Sequence, residues 1–237
     1  MNIVITGASK GIGLAVTERF ARDTTRTHTF MLCARNGSEL ERAHAQLIER
    51  FPTHRFITET CDVSNEQDVE RFANHCSDLG TTDLLVHNAG FGLFKQVTDL
   101  SLAEFKSVLD TNLRGVFLLT RALLPPMRAA KTGTIVAISS LAGKAGFAGG
   151  AAYCASKFGV RGFMQNLFLE VRSDNIRCVT ICPGSVDTAF FATIENPGGS
   201  VRMLAATDVA ESVWFAANLP AGATVSEIEI RPTNPKG

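Results

Sequence analysis

The chain almost lacks tyrosine: Tyr153 carries its only phenol, against sixteen phenylalanines. An excess of either charge is missing too. Lys+Arg and Asp+Glu balance at 23 each, so no basic surplus points to nucleic acid as a partner. No apolar run approaches the ~18 residues of a membrane span, and the longest, Val116 to Leu124, is broken by Thr120 and Arg121. The six cysteines (Cys33, Cys61, Cys76, Cys154, Cys178, Cys182) contain no CxxC and no zinc-type spacing. All five histidines precede residue 88, and none forms an HExxH pair. No metal and a reducing compartment are therefore expected. Met1 leads almost directly into Ile3-Val4-Ile5, with no room for a signal or transit peptide, so the expected location is cytoplasmic.

What is present is an ordinary globular composition, 45% apolar and 19% charged, which excludes disorder. Across 237 residues, short β-rich apolar runs alternate with longer helical patterns. Strands are expected at Asn2–Thr6, Thr29–Ala34, Arg55–Cys61, Leu84–His87, Thr134–Ser139, Arg177–Cys182 and Val225–Ile230. Several are near-continuous apolar runs, as in strands buried on both faces. Helices are expected at Gly11–Asp23, Ser38–Phe51, Asn65–Leu79, Leu102–Ala130, Tyr153–Ser173 and Thr207–Asn218. Ser64 with Gln67 makes a capping box for the third, and Pro125-Pro126 should end or kink the fourth. The pattern predicts one α/β domain over residues 1–237, a doubly wound seven-stranded parallel sheet with helices on both faces. The one long loop-like interval, 187–206, reads as a mobile substrate loop.

Directly after the first strand comes Thr6-Gly7-Ala8-Ser9-Lys10-Gly11-Ile12-Gly13, and then a helix. Glycines there let the backbone turn tightly and approach a pyrophosphate, which the helix start attracts with unpaired N–H groups. Strand before and helix after make this a Rossmann-type dinucleotide site. A site for NAD places an acid at the end of the second strand to hold the ribose 2′-hydroxyl. Here that place reads Cys33-Ala34-Arg35-Asn36. Arg35 offers a cationic fork suited to a 2′-phosphate, and Lys10 a second charge, so the expected cofactor is NADP(H). Asp62-Val63 and Asn88-Ala89-Gly90 end the next two strands. Asp62 suits an adenine amino group or, equally, a turn with Ser64.

Tyr153 and Lys157 sit at i and i+4 of a helix start, on one face. An adjacent ammonium, and an oxidised nicotinamide when bound, should lower a phenol from its ordinary pKa of about 10. Such a tyrosine donates a proton to a carbonyl receiving hydride, or takes one from an alcohol. A chain that otherwise uses Phe for aromatic bulk has a use for that hydroxyl.

The motifs at Thr6–Gly13, Asn88–Gly90, Asn112, Ile138–Ser140, Tyr153–Lys157 and Pro183-Gly184 come in one order over essentially the whole chain. In this the sequence resembles the short-chain dehydrogenase/reductase family. The resemblance implies a tetrad of Asn112, Ser140, Tyr153 and Lys157. Ser140 is the match rather than Ser139, because it lies thirteen residues before Tyr153. The family's serine holds the substrate oxygen, its tyrosine is the acid/base, its lysine lowers the tyrosine pKa and binds the nicotinamide ribose, and its asparagine keeps a water in the proton relay. Pro183, Gly184, Val186 and Thr188 match the segment that cradles the nicotinamide. His87 departs from the pattern, standing where many members have asparagine. Phe147, Phe190 and Phe191 either line a substrate pocket or pack in the core.

The resemblance implies a reversible reductase of ketones or aldehydes acting on a small molecule. It also implies a homodimer or homotetramer joined through the helices at Leu102–Ala130 and Tyr153–Ser173. YCASKFGVRGF at Tyr153–Phe163 and EIEIRPT at Glu227–Thr233 look like bacterial sepiapterin reductases, which reduce pterin side-chain ketones. The competing assignments are a 3-oxoacyl-carrier-protein reductase, for which the chain lacks a basic patch, and a non-catalytic NADP(H)-binding regulator. A regulator would be free to lose the tetrad, which is complete here.

Overall fold

A computed structural model of the chain describes residues 1–188 and 203–234. Seven strands form one parallel sheet: β1 (Asn2–Thr6), β2 (Thr29–Ala34), β3 (Arg55–Thr60), β4 (Leu84–His87), β5 (Gly133–Ile138), β6 (Ile176–Pro183) and β7 (Glu227–Ile230). Their order is β3-β2-β1-β4-β5-β6-β7, so the winding reverses between β1 and β4. Around them lie α1 (Gly11–Ala21), α2 (Gly37–Arg50), α3 (Glu66–Asp78), α4 (Leu102–Leu109), α5 (Gly115–Ala130), α6 (Ala151–Val171) and α7 (Ala206–Ala217).

Side-chain alternation along the inner strands divides the core in two. Ile3, Ile5, Phe30, Leu32, Leu84, Val86, Val136, Ile138, Val179 and Ile181 pack with α1, α2 and α7. Val4, Met31, Cys33, Leu85, Ile135, Ala137 and Cys178 pack with α3, α5 and α6 on the other face. Burying both faces explains why the inner strands β1, β2, β4, β5 and β6 are mostly apolar along their length. The edge strands β3 and β7 are only partly covered and mix in charged residues.

Three sequence expectations are corrected. The cap of α3 is Asn65, whose side chain accepts from the N–H groups of Gln67 and Asp68; Ser64 donates its hydroxyl to Asp62 instead. The expected helix Leu102–Ala130 is divided by a π-helical segment, Asp110–Arg114. Pro125-Pro126 lies inside α5, which runs on to Ala130. The prolines remove two helix donors, but Leu119, Leu123 and Met127 are fully buried against the sheet and hold the turns around them. Strand and helix ends otherwise match or shift by one or two residues. The interval 187–206 lies mostly outside the described residues, and Phe190 and Phe191 lie wholly outside them. Its ends are tied together: Asp187 N–H donates to the Leu204 carbonyl at 2.8 Å, and Leu204 N–H to that of Ser185 at 2.9 Å.

Phe20 of α1 is fully buried and meets Trp214 of α7 edge to face, with centroids 4.8 Å apart. Phe20→Ala should therefore cost about 3–5 kcal/mol. Urea unfolding followed by fluorescence of Trp214, the chain's single tryptophan, checks this. A loss under ~1 kcal/mol would show a seam that can collapse around the gap.

Candidate active site

The carboxyl ends of the strands converge on one cleft of about 900 Å³, beside the point where the strand order reverses. Its size falls in the ~300–1,000 Å³ range of ligand cavities, and its position is the usual one in open α/β sheets.

Gly7, Ser9, Lys10, Gly11 and Ile12 line one end. Gly7 and Gly11 take left-handed φ values of +65° and +57°, which disfavour any side chain. A Cβ on Gly7 would also lie 2.9 Å from the Ala89 Cα. The start of α1 at Lys10 has no side-chain cap, so its first N–H groups face the cleft without a protein acceptor from that residue. This is a cradle shaped for an anion bound by backbone. Gly13 serves differently. It does not line the cleft; a Cβ there would lie 2.4 Å from the Gly7 carbonyl oxygen, so its absence lets α1 pack closely over that turn. Thr6 and Asn88 lock β1 to β4. Thr6 Oγ1 accepts from the N–H groups of Asn88 and Ala89 at 3.1 and 3.0 Å, and Asn88 Nδ2 donates to the carbonyls of Thr6 and Gly7, both at 3.0 Å.

Arg35 stands exposed on the wall, its guanidinium carbon 5.7 Å from the centre of the Phe91 ring. Lys10 is engaged by Glu39, Nζ to Oε1 at 2.9 Å, and Glu39 lines the cleft as well. Arg35 is therefore the cation at this end without an acid partner among the described residues. Val63, Ala89 and Gly90 line the wall, whereas Asp62 does not. Its Oδ1 accepts from the backbone and hydroxyl of Ser64 at 2.9 and 2.7 Å, the turn alternative.

At the other end Ser140, Tyr153 and Lys157 line the cleft together. Ser139 lines it as well, but its hydroxyl is engaged, donating to the Lys157 carbonyl at 3.1 Å. The Tyr153 phenol is hydrogen-bonded to Ser140 and is only 8% exposed. Burial pushes its pKa up to about 12, against the smaller lowering effect of Ser140. This reverses the sequence expectation for the chain without cofactor. The Lys157 amine, 5.7 Å from the centre of the phenol ring, is buried itself. It donates to the Ile138 carbonyl at 2.8 Å, and burial pulls its pKa down to about 8. A dry site disfavours phenolate and ammonium alike.

Asn112 does not line the cleft. It sits in the π-helical segment, 1% exposed, and clamps Phe91 from behind. Its Nδ2 donates to the Phe91 carbonyl at 2.9 Å and to Ser156 Oγ at 3.0 Å, and its Oδ1 accepts from Phe91 N–H at 3.0 Å. Gly90 makes room for this: a Cβ there would lie 3.0 Å from Asn112 Oδ1 and 3.6 Å from Lys157 Nζ. His87 meets the Thr120 hydroxyl at 2.8 Å, and burial lowers its pKa to about 3, so it is neutral.

Pro183, Gly184, Val186 and Thr188 line the cleft beside Ser140 and Tyr153. Phe147 lines it too, 49% exposed and 5.6 Å from Phe94, whose ring in turn meets Tyr153 edge to face. Phe91, Phe94, Lys144 and Arg231 are lining residues that sequence reasoning missed. The two phenylalanines follow Asn88–Gly90 closely, which was a usable signal; the two cations belong to no motif. Among the described residues no group of His, Cys, Asp and Glu is placed to hold a metal, and no helix is long and apolar enough to cross a membrane.

Fold and cleft define a dinucleotide-binding α/β protein with a serine, a tyrosine and a lysine gathered at one end of the cleft. The model of the short chain dehydrogenase family matches residues 1–197, and the chain belongs to that family. It is 35% identical to a sepiapterin reductase of Chlorobaculum tepidum over 98% of this chain and 96% of that one. It is 31% identical to sulfoacetaldehyde reductase 2 of Chromohalobacter salexigens over 98% of this chain and 94% of that one. The structure resembles an alcohol dehydrogenase from the archaeon Thermococcus sibiricus, solved with 5-hydroxy-NADP. The TM-score is 0.86 at 30% identity, covering 97% of this chain and 95% of that one.

Asn112→Ala would remove the partner of the part-buried N–H and carbonyl of Phe91, at about 1–3 kcal/mol for each such group. Chemical denaturation should show a loss of at least ~2 kcal/mol. A loss near zero would show that this amide does not hold the cleft wall.

Proposed function

We propose that this protein is an NADPH-dependent reductase of ketones or aldehydes, reversible as an alcohol dehydrogenase, with Tyr153 as its acid/base. The observation that carries the reading is the placement of the chain's only phenol: buried at the reacting end of the cleft, bonded to Ser140 and one helical turn from Lys157.

In this reading Gly7, Ser9, Lys10, Gly11 and Ile12 hold the cofactor's pyrophosphate and Arg35 its 2′-phosphate. Val63, Asn88, Ala89 and Gly90 border the adenosine side, with Asp62 kept in its turn with Ser64 and off the cleft wall. Gly13 acts through close packing of α1. Pro183, Gly184, Val186 and Thr188 flank the nicotinamide, and Lys157 holds its ribose. When bound, the nicotinamide would supply or accept the hydride. Ser140 holds the carbonyl oxygen, and Tyr153 gives it the proton that turns it into a hydroxyl. A phenol pushed up to about 12 by burial keeps its proton at neutral pH, as a donor must. In the alcohol-oxidising direction the same phenol has to lose it, which a nearby positive charge favours. Asn112 is a positioning residue in this scheme.

The likeness to a sepiapterin reductase suggests a pterin side-chain ketone, with Phe147 against its ring. A cytoplasmic homodimer or homotetramer through α4–α5 and α6 completes the reading, supported by Leu102, Phe117, Phe158 and Leu169, which are exposed on those helices.

Two variants test it in NADPH-oxidation assays over a panel of carbonyl compounds. Tyr153→Phe should lower kcat by ~10²–10⁴-fold while NADPH still binds; retained turnover contradicts the mechanism. Arg35→Ala should weaken NADPH more than tenfold and NADH far less, since each lost charge-assisted bond is worth about 1.5–3 kcal/mol. Equal losses for the two cofactors would remove the 2′-phosphate assignment.

A further inference from the structure

The substrate side of the cleft has a charged rim that this reading leaves unused. Lys144 follows the short turn Leu141–Gly143 after β5, and Arg231 follows β7. Both line the cleft. Gly184 N–H donates to the Ile230 carbonyl at 2.9 Å, which brings Arg231 alongside Pro183-Gly184. A Cβ on Gly184 would lie 3.5 Å from Leu141 Cδ1 and 3.4 Å from Pro232 Cδ, so three segments meet next to Ser140.

The two cations belong to a network on β7. Lys144 Nζ contacts Glu227 Oε1 at 2.8 Å and Glu229 Oε2 at 2.7 Å; Arg231 Nε contacts Glu229 Oε1 at 2.6 Å; and Arg161 Nε contacts Glu227 Oε2 at 2.8 Å. Three cations share two carboxylates, leaving the network one positive charge in excess. Neither carboxylate lines the cleft, while Lys144 and Arg231 do. Arg231 is bonded through Nε alone among the described residues, and its side chain is 61% exposed. Its terminal nitrogens are the paired donors that suit a planar anion. The surplus charge therefore lies on the cleft side of the network, at Lys144 and Arg231.

We propose that Lys144 and Arg231 form an anion subsite, so that the carbonyl compound reduced here carries a carboxylate or an anion of similar chemistry. The proposal rests on the reductase reading of the same cleft and fixes its substrate class. A neutral pterin ketone would leave this charge unanswered.

The test compares 3-oxobutanoate and 4-oxopentanoate with their methyl esters, and with sepiapterin, at constant ionic strength. The better acid should exceed its ester at least tenfold in kcat/KM, mainly through KM. That preference should fall at least tenfold in Arg231→Gln and recover in part in Arg231→Lys. In Glu229→Gln, which removes one competing carboxylate, it should rise; a purely structural ion network would not move it upward. Equal or better use of esters or sepiapterin overturns the proposal, as does an acid preference unchanged in Arg231→Gln. Calorimetric titration of the acids and esters into NADP⁺-loaded protein separates the two readings. If no carbonyl is turned over but the acid binds selectively and through Arg231, the reductase reading fails and the subsite stands. If turnover is seen without charge selectivity, the reverse holds; if neither is seen, both fall.

Discussion

Desolvation of two ionisable groups one helical turn apart is the constraint on which this site depends. Tyr153 and Lys157 are both buried where α6 begins, and each is pushed toward its neutral form, the phenol to about 12 and the amine to about 8. In water these groups would sit at about 10 and 10.4. A cleft that holds a phenol and an amine so far from their ordinary behaviour is poised to respond to any charge brought beside them. The fold keeps them there through the Ile138 carbonyl, which fixes the amine, and Ser140, which fixes the hydroxyl.

The supporting structure is built to resist collapse of that cleft. The wall that carries Phe91 is held by Asn112, and Asn112 reaches it from the π-helical segment between α4 and α5. An extra residue in a helical turn is rare and commonly marks a functional position. The opposite wall depends on glycine. Gly13 lets α1 pass close over Gly7, and Gly150 lets the Phe147 ring lie over the start of α6, where a Cβ would come within 2.7 Å of it. These are packing requirements, distinct from the left-handed turns at Gly7 and Gly11 that shape the anion cradle.

The parallel sheet was legible because its inner strands are buried on both faces and leave mostly apolar runs. What failed was local chemistry decided by neighbours. Ser64 and Asn65 are both good caps, and only the engagement of Ser64 by Asp62 decides between them. The π-helical segment leaves the helical periodicity of 102–130 almost intact, so sequence shows one helix where there are three segments. The prolines of α5 are overridden by buried neighbours. At the site, scarcity exposed Tyr153 and the glycine spacing exposed the cradle. Ser140 and Asn112 were visible only through family resemblance, since a strand-end serine and a helical asparagine carry no signal of their own. Lys144 and Arg231 were invisible because β6 and β7 bring them together across 87 residues of chain. For the chain without cofactor the direction of the Tyr153 shift was also missed, because spacing reports the neighbouring amine and says nothing about burial.

The central claim of the proposed mechanism is that charge brought to the cleft by oxidised cofactor, acting on a phenol that burial holds neutral, frees its proton in the alcohol-oxidising direction. Ultraviolet titration of the single tyrosine, without cofactor and then saturated with NADP⁺, addresses it directly. The account predicts ionisation near 12 in the free protein and a shift of at least two pH units downward in the complex, an interaction of ~2.7 kcal/mol. A phenol that stays near 12 with the cofactor bound would contradict it.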